Sequence, residues 1–265
     1  MVWREEGIGD EMRFASCLPE LAEMGFGRVI FECAPRLASL FGRSFPTITV
    51  RGEAPGEGPE DYDLQAPLFS LPGLLRPSLD DFPDRPAYLT ADPERARAWR
   101  NRLQALGPGP TVGVCWRSLN FSWQKRPFHS RIADWAPVLR LPGLTFIDLQ
   151  VEAAADEIAE ARESFGATIH TLEGLDLKDD LEGVAAVISV LDAVVSARCW
   201  IPILSGALGV PTSCFAAPFN PLFLGQARDP WMPMVQIFTR RADTDWRAPM
   251  AAIADQLGRL RPDPG

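Results

Sequence analysis

Short apolar runs alternate with amphipathic stretches along most of the chain, and each change of hydrophobic period marks a new element. Residues 1–3 predict a short strand. After the turn Glu6-Gly7-Ile8-Gly9, apolar residues fall near helical spacing and predict a helix over about residues 11–24. A strand at 28–32, a proline-opened helix at 35–41 and a strand at 47–50 complete a β-α-β-α-β series. The stretch 52–59, rich in Gly, Pro and Glu, reads as a solvated loop. Residues 71–86 are too dense in proline for long regular structure. A helix over 92–106 then runs into Gly107-Pro108-Gly109-Pro110.

The second half repeats the alternation, starting from the continuous apolar run Val112-Gly113-Val114-Cys115-Trp116, a pattern suited to a strand covered on both faces. Helices are expected over 131–139, 152–165, 178–190, 200–208 and 246–259, with strands at 144–149, 168–171, 193–196, 212–215 and 234–238. Gly209 stands where a glycine follows a helix end, with Pro211 just beyond. Strands alternating with helices predict an α/β chain, and the Gly-Pro break divides it into 1–106 and 111–265. The last helix is expected to pack back towards the first half.

Composition narrows the function classes. At 265 residues and 46% hydrophobic, the chain can fill two cores. A formal charge of −9 argues against broad nucleic-acid binding, so an anionic ligand would need a local cluster of cations. Cys17, Cys33, Cys115, Cys199 and Cys214 are scattered and form no C-x-x-C pair, which predicts neither a disulfide framework nor a zinc site and fits a cytoplasmic protein. No apolar run reaches the roughly 20 residues of a membrane span, and no signal peptide is expected.

The motif W-R-E-E-G-I-G-D-E-M-R-F-A-S-C-L-P-E-L, starting at Trp3, resembles the opening of bacterial glycosyltransferases related to the heptosyltransferases (family 9), especially those often fused behind tetratricopeptide repeats. The resemblance continues through Ser70-Leu71-Pro72, Trp116-Arg117-Ser118, Trp135-Ala136-Pro137, Leu149-Gln150, Ser205-Gly206-Ala207-Leu208-Gly209-Val210-Pro211 and Pro230-Trp231-Met232-Pro233. It implies a GT-B fold, two Rossmann-like domains facing across a cleft. It also implies transfer of a sugar from a nucleotide-activated donor to a protein or glycan hydroxyl, with an upstream tetratricopeptide domain as a partner.

Within that expectation the candidate residues fall into three groups. Gly7 and Gly9 let backbone approach a ligand at a helix start. The resemblance gives Asp10 the role of general base, while the residues alone allow Asp10 to be only a helix N-cap. The segment from Trp116 to Ser130 lies between a strand and a helix. It offers Arg117, Ser118, Lys125 and Arg126 to a donor phosphate, with Gln150, Ser196, Arg198 and Cys199 completing the donor set. His129 and His170 suggest no histidine-centred catalysis. Asp179-Asp180 reads as the acidic first turn of a helix rather than a metal site, so neither metal nor cofactor is expected.

Two departures qualify the resemblance. Relatives of the heptosyltransferase type usually carry an Asp-Thr pair near positions 198–199 and a histidine at 203, where this chain has Arg198, Cys199 and Ile203. Either the donor differs, for example a CMP-activated nonulosonic acid, or catalysis is lost and the chain is a binding or scaffold module. The first strand is also short for a Rossmann-like half, so either the chain is a fragment whose upstream residues complete it or the first sheet is short on that strand and less stable. A nucleotide-sugar epimerase of similar fold is a weaker third reading.

Overall fold

The computed structural model describes residues 1–54, 61–118, 129–152, 155–241 and 243–260. The first half contributes strand β1 (Val2–Trp3), helices α1 (Ile8–Phe14) and α2 (Leu18–Glu23), β2 (Ile30–Cys33), α3 (Ala38–Ser44), β3 (Thr49–Gly52), β4 (Ala66–Pro67), α4 (Leu71–Leu75) and α5 (Pro93–Gln104). The second contributes β5 (Thr111–Cys115), α6 (Ala136–Leu139), β6 (Thr145–Asp148), α7 (Ala155–Phe165), β7 (Ile169–His170) and α8 (Leu181–Ile188). It continues with β8 (Ala193–Ala197), α9 (Trp200–Ala207), β9 (Thr212–Ala216), β10 (Val235–Thr239) and α10 (Arg247–Gly258).

Proline explains where expected helices break. Pro19 lacks an N–H and its ring opposes the carbonyl of Ala15, so the helix expected over 11–24 becomes α1, a 3₁₀ turn at Ala15–Cys17 and α2. Pro137 and Pro35 likewise lie at or beside 3₁₀ turns, at Ile132–Trp135 and Pro35–Leu37. Asp92 caps α5 by accepting from the N–H groups of Glu94 and Arg95, both at 2.9 Å, and Asp180 caps α8 through Gly183 N–H. Asp180 therefore serves the backbone, as the helix-turn reading of Asp179-Asp180 expects. Gly209 adopts φ +81° after α9, a conformation that favours glycine.

Both sheets are parallel. Their strand orders are β3-β2-β1-β4 and β10-β9-β8-β5-β6-β7. The second is the doubly wound Rossmann order, and the first matches four consecutive strands of it, 3-2-1-4. In each sheet the order reverses once, between β1 and β4 and between β5 and β8. Loops leaving the carboxyl ends of strands diverge at these points, which is where open α/β sheets hold ligands.

Alternation along the strands of the second sheet sends side chains to two cores. Val194 and Cys214 join an apolar cluster shared with the first half, which also contains Met12, Phe31 and Phe41. Ala193, Val195 and Phe215 face a second cluster with Trp116, Trp135, Trp246 and Met250. The shared cluster joins the two sheets without a gap. Around it, Tyr88 and Leu89 N–H both donate to Ala207 O at 2.9 Å, α5 lies on α8, and α1 lies on α9.

Helix α10 corrects one expectation. Its buried residues Met250, Ile253 and Leu257 belong to the second cluster, and it packs on α6 and β10 rather than back towards the first half. The apolar stripe on α10 covers the outer face of the second sheet together with α6 and the turn before it.

Candidate functional site

The site begins where β1 ends. Arg4 donates to Glu11 (3.1 Å), to Glu53 (2.9 Å) and to the carbonyl of Glu6 (2.9 Å), bracing the turn that leads into α1. Glu11 is 1% exposed and also accepts from Ala34 N–H at 2.7 Å. Burial pushes the Glu11 carboxyl above the usual range, against the pull of Ala34 and Arg4. This buried bracket sets the direction in which α1 starts. Gly7, in extended conformation, is the N-cap, which removes the cap reading of Asp10. Asp10 lies inside the first turn, half-buried, and among the described residues its carboxylate makes no hydrogen bond or ion pair.

Gly9 is needed for close packing. A Cβ there would stand 3.2 Å from Ile203 Cδ1 and 3.4 Å from Trp200 Cβ, so glycine lets α1 rest directly on the first turns of α9. At Gly7 a Cβ would meet nothing within 4 Å, so that glycine is not required by packing within the chain.

At the reversal point of the second sheet, β5 and β8 run side by side with Cys115 paired to Ser196. Beyond them stand Arg117-Ser118 and Arg198-Cys199. Cys199 is the extended N-cap of α9, whose first N–H groups have no partner within the helix. Its thiol lies 3.8 Å from the thiol of Cys115 and 3.7 Å from Ser196 Oγ. Arg198 is exposed, and among the described residues its guanidinium makes no hydrogen bond or ion pair.

The two reversal points share one cavity of about 350 Å³. Gly7, Gly9, Asp10 and Arg13 line it from the first half, and Ser118, Arg198, Cys199, Trp200, Ile203 and Asp229 from the second. In its wall Arg13 Nη1 donates to both Asp229 oxygens, at 2.7 and 2.9 Å. Arg13 is 3% and Asp229 1% exposed, and Asp229 Oδ1 also accepts from Trp231 N–H at 3.0 Å. Burial raises the Asp229 carboxyl, and Arg13 offsets part of that rise. Residues 216 positions apart are thus tied across the two halves. Neither was a sequence candidate; the only hint was an arginine inside the apolar run of α1.

The donor set is not all brought together. Arg117 forms an ion pair with Glu157 on α7, and its N–H donates to Gln150 Oε1 at 2.9 Å. Gln150 is 2% exposed and returns its amide to Val151 O at 3.0 Å, so it braces the loop after β6 and is absent from the cavity lining. Ser196 is fully buried, donates to Ala197 O at 2.8 Å and is likewise absent from that lining. Both polar groups are thus bonded to backbone. Lys125 and Arg126 lie outside the described residues. Asp148, at the end of β6, accepts from Gln150 N–H at 2.8 Å, and burial lifts its carboxyl from 3.8 to about 6.

A second cavity of about 560 Å³ opens at the amino ends of β1 and β2, lined largely by apolar residues including Met24, Phe26, Leu64 and Leu74. It lies away from both reversal points and lacks a convergent polar set. Among the described residues no three His, Cys, Asp or Glu side chains converge to hold a metal, and no helix is long and apolar enough to cross a membrane.

No family model matches the chain. Protein FlbA of Caulobacter vibrioides is 35% identical over 274 residues, covering 97% of this chain and 46% of FlbA, so the chain spans less than half of that relative's length. Among solved structures, the ADP-heptose lipopolysaccharide heptosyltransferase II of E. coli superposes with a TM-score of 0.64 at 14% identity, over 98% of this chain and 97% of that one. A glycosyl transferase family 9 protein from Veillonella parvula gives 0.61 at 12% identity, over 99% and 90%. Together with the two parallel sheets and their strand orders, these likenesses identify the fold as that of family 9 glycosyltransferases.

Proposed function

We propose that the chain is a glycosyltransferase that moves a sugar from a nucleotide-activated donor to a hydroxyl of a protein or glycan without a metal. The observation that carries this reading is the shared cavity, which is lined by a carboxylate, Asp10, and a guanidinium, Arg198, both unpaired among the described residues, beside the start of α9. Sugar transfer requires a base to take the acceptor's proton and a positive site to stabilise the departing phosphate. Asp10 fits the first role. Arg198 and the N-terminus of α9 fit the second. Ser118 and Cys199 line the donor side, Gly7 leaves room for a ligand against backbone, and Arg117 with Gln150 shapes the loop from behind. Lys125 and Arg126 are further cations for the donor.

In this reading residues 1–106 form the acceptor domain and 111–265 the donor domain, facing each other across the cavity as in a GT-B enzyme. The protein is bacterial and cytoplasmic, with a tetratricopeptide-repeat region as its partner. A second reading, an inactive binding module of the same fold, is favoured by two observations: Arg117 is held by Glu157, and Ile203 packs on Gly9 where relatives place a polar residue.

A thermal-shift panel of UDP-, GDP-, ADP-, TDP- and CMP-sugars separates the two readings. A ligand at about 100 times its Kd adds about 2.7 kcal/mol of stability. One nucleotide family is expected to raise the melting temperature. A shift absent across the panel favours the binding module.

A further inference from the structure

Five cysteines are scattered through the sequence, and the fold brings two of them, 84 positions apart, to one place. Cys115 ends β5, and Cys199 follows β8 as the N-cap of α9. Because β5 and β8 are neighbours in register, their carboxyl ends deliver both thiols to the reversal point of the second sheet. The sulfur atoms are 3.8 Å apart. Cys199 is half-buried and lines the cavity, so a small solute can reach it, whereas Cys115 is 2% exposed and lies directly behind it. We propose that Cys199 and Cys115 form a peroxide-sensitive dithiol site, with Cys199 the reactive thiol and Cys115 the resolving one, closing reversibly to a disulfide.

The surroundings distinguish these two from the other thiols. Either sulfur can donate in the 3.8 Å contact; with Cys115 as the donor the contact lowers the Cys199 thiol below its ordinary value, helped by the start of α9 and by Arg198. The same contact, with burial, holds Cys115 well above the ordinary value. Burial is the main cause that pushes Cys17 up to about 11 and Cys33 up to about 12, and it raises Cys214 further, so none of these has appreciable thiolate at neutral pH. Cys214 lines the same cavity and feels the Cys199 thiol, but neither it nor Cys17 nor Cys33 makes a thiol–thiol contact like that of Cys115 with Cys199.

The chemistry balances with a hydroperoxide as the oxidant. The Cys199 thiolate attacks the outer peroxide oxygen, the O–O bond breaks, and water or an alcohol leaves as Cys199 becomes a sulfenic acid. The Cys115 sulfur then attacks the Cys199 sulfur, the S–O bond breaks, and the departing hydroxide takes the Cys115 proton as water. Two thiols lose two electrons and two protons; the peroxide gains both. Bonding at about 2.05 Å draws the sulfurs in by less than about 2 Å, within reach of a side-chain rotation at the entry to α9. The disulfide would tie the end of β5 to the first residue of α9. Its effect on ligand binding rests on the transferase reading, whereas the oxidation itself does not.

The test uses the whole chain, reduced, freed of reductant and treated with hydrogen peroxide, then quenched by alkylation and mapped by mass spectrometry. The expected result is an intact mass lower by two hydrogens, with the Cys115 and Cys199 peptides joined and released by dithiothreitol. Cys199 should react at least about tenfold faster than Cys17, Cys33 or Cys214. In C115S the disulfide should be replaced by a Cys199 sulfenic acid that dimedone traps. The proposal is overturned if Cys115 and Cys199 alkylate as fully as Cys17 after peroxide, or if another pair forms the crosslink. It also fails if C115S still loses two hydrogens. The wild-type map decides alone should C115S not fold.

Discussion

The two sheets share a strand topology and differ in how they are supported. In the second sheet β5, β8 and β9 are five residues long and buried throughout, with one face on the shared cluster and the other on a cluster of their own around Trp135, Phe215 and Trp246. In the first sheet β1 and β4 have two residues each, β3 has no fully buried residue, and among the described residues the apolar cluster is the one shared with the second sheet. The first half therefore takes much of its stability from the second. Its site residues are positioned by cross-half contacts: Gly9 against α9, Tyr88 and Leu89 against Ala207, and Arg13 against Asp229.

Breaking that joint should have the largest effect. Asp229→Ala leaves the Arg13 guanidinium buried without its counterion, and unfolding by urea is expected to show a loss of about 3–5 kcal/mol. Replacing both residues by apolar ones should restore most of it. A loss below about 1 kcal/mol for the single substitution would mean that the halves do not depend on this pair.

Within the second half, Asp148 gives a pH-dependent test. Its carboxyl is raised from 3.8 to about 6, so the folded chain binds this proton more tightly than the unfolded one. Its contribution to stability is therefore lost as pH rises from about 4 to about 6, and the cost is complete above that. Asp148→Asn keeps an oxygen for Gln150 N–H and cannot ionise. It is expected to be more stable than the wild type at pH 7.5, by on the order of 1–3 kcal/mol, and nearly equal at pH 4. Equal stability at both pH values would show that the carboxyl is not held in this state.

The smallest effect concerns local opening. Amide hydrogen exchange should reach the global unfolding limit in β5, β8 and β9, while β1 and β4 exchange at free energies lower by at least about 1 kcal/mol. Equal protection in both sheets would remove the asymmetry.

The alternation of elements was legible in the sequence because long buried strands and amphipathic helices carry strong periods, as in the run from Val112 to Cys115 and in α5. Strand β4 was not, since Ala66–Pro67 is too short for any period and contains a proline. At the site, Gly7, Gly9, Asp10, Arg198 and Cys199 could be found because each lies just after a strand or at a helix start, where ligands meet α/β folds. Gln150 and Ser196 occupy similar positions, yet their side chains turn inward to satisfy backbone, which sequence position does not reveal. The Arg13–Asp229 and Arg117–Glu157 pairs depend on tertiary contacts and leave no periodic trace.

The central claim is that Asp10 acts as the base of a sugar transfer at the cavity between the two reversal points. With the donor found in the nucleotide-sugar panel, the most direct measurement is the transfer rate of Asp10→Asn beside its donor affinity by calorimetry. Asp10 makes no hydrogen bond or ion pair among the described residues, so the amide should leave the fold and donor affinity unchanged. The rate should fall about 10²–10⁴-fold, because an amide cannot accept the acceptor's proton. Turnover by Asp10→Asn at the wild-type rate would contradict the account.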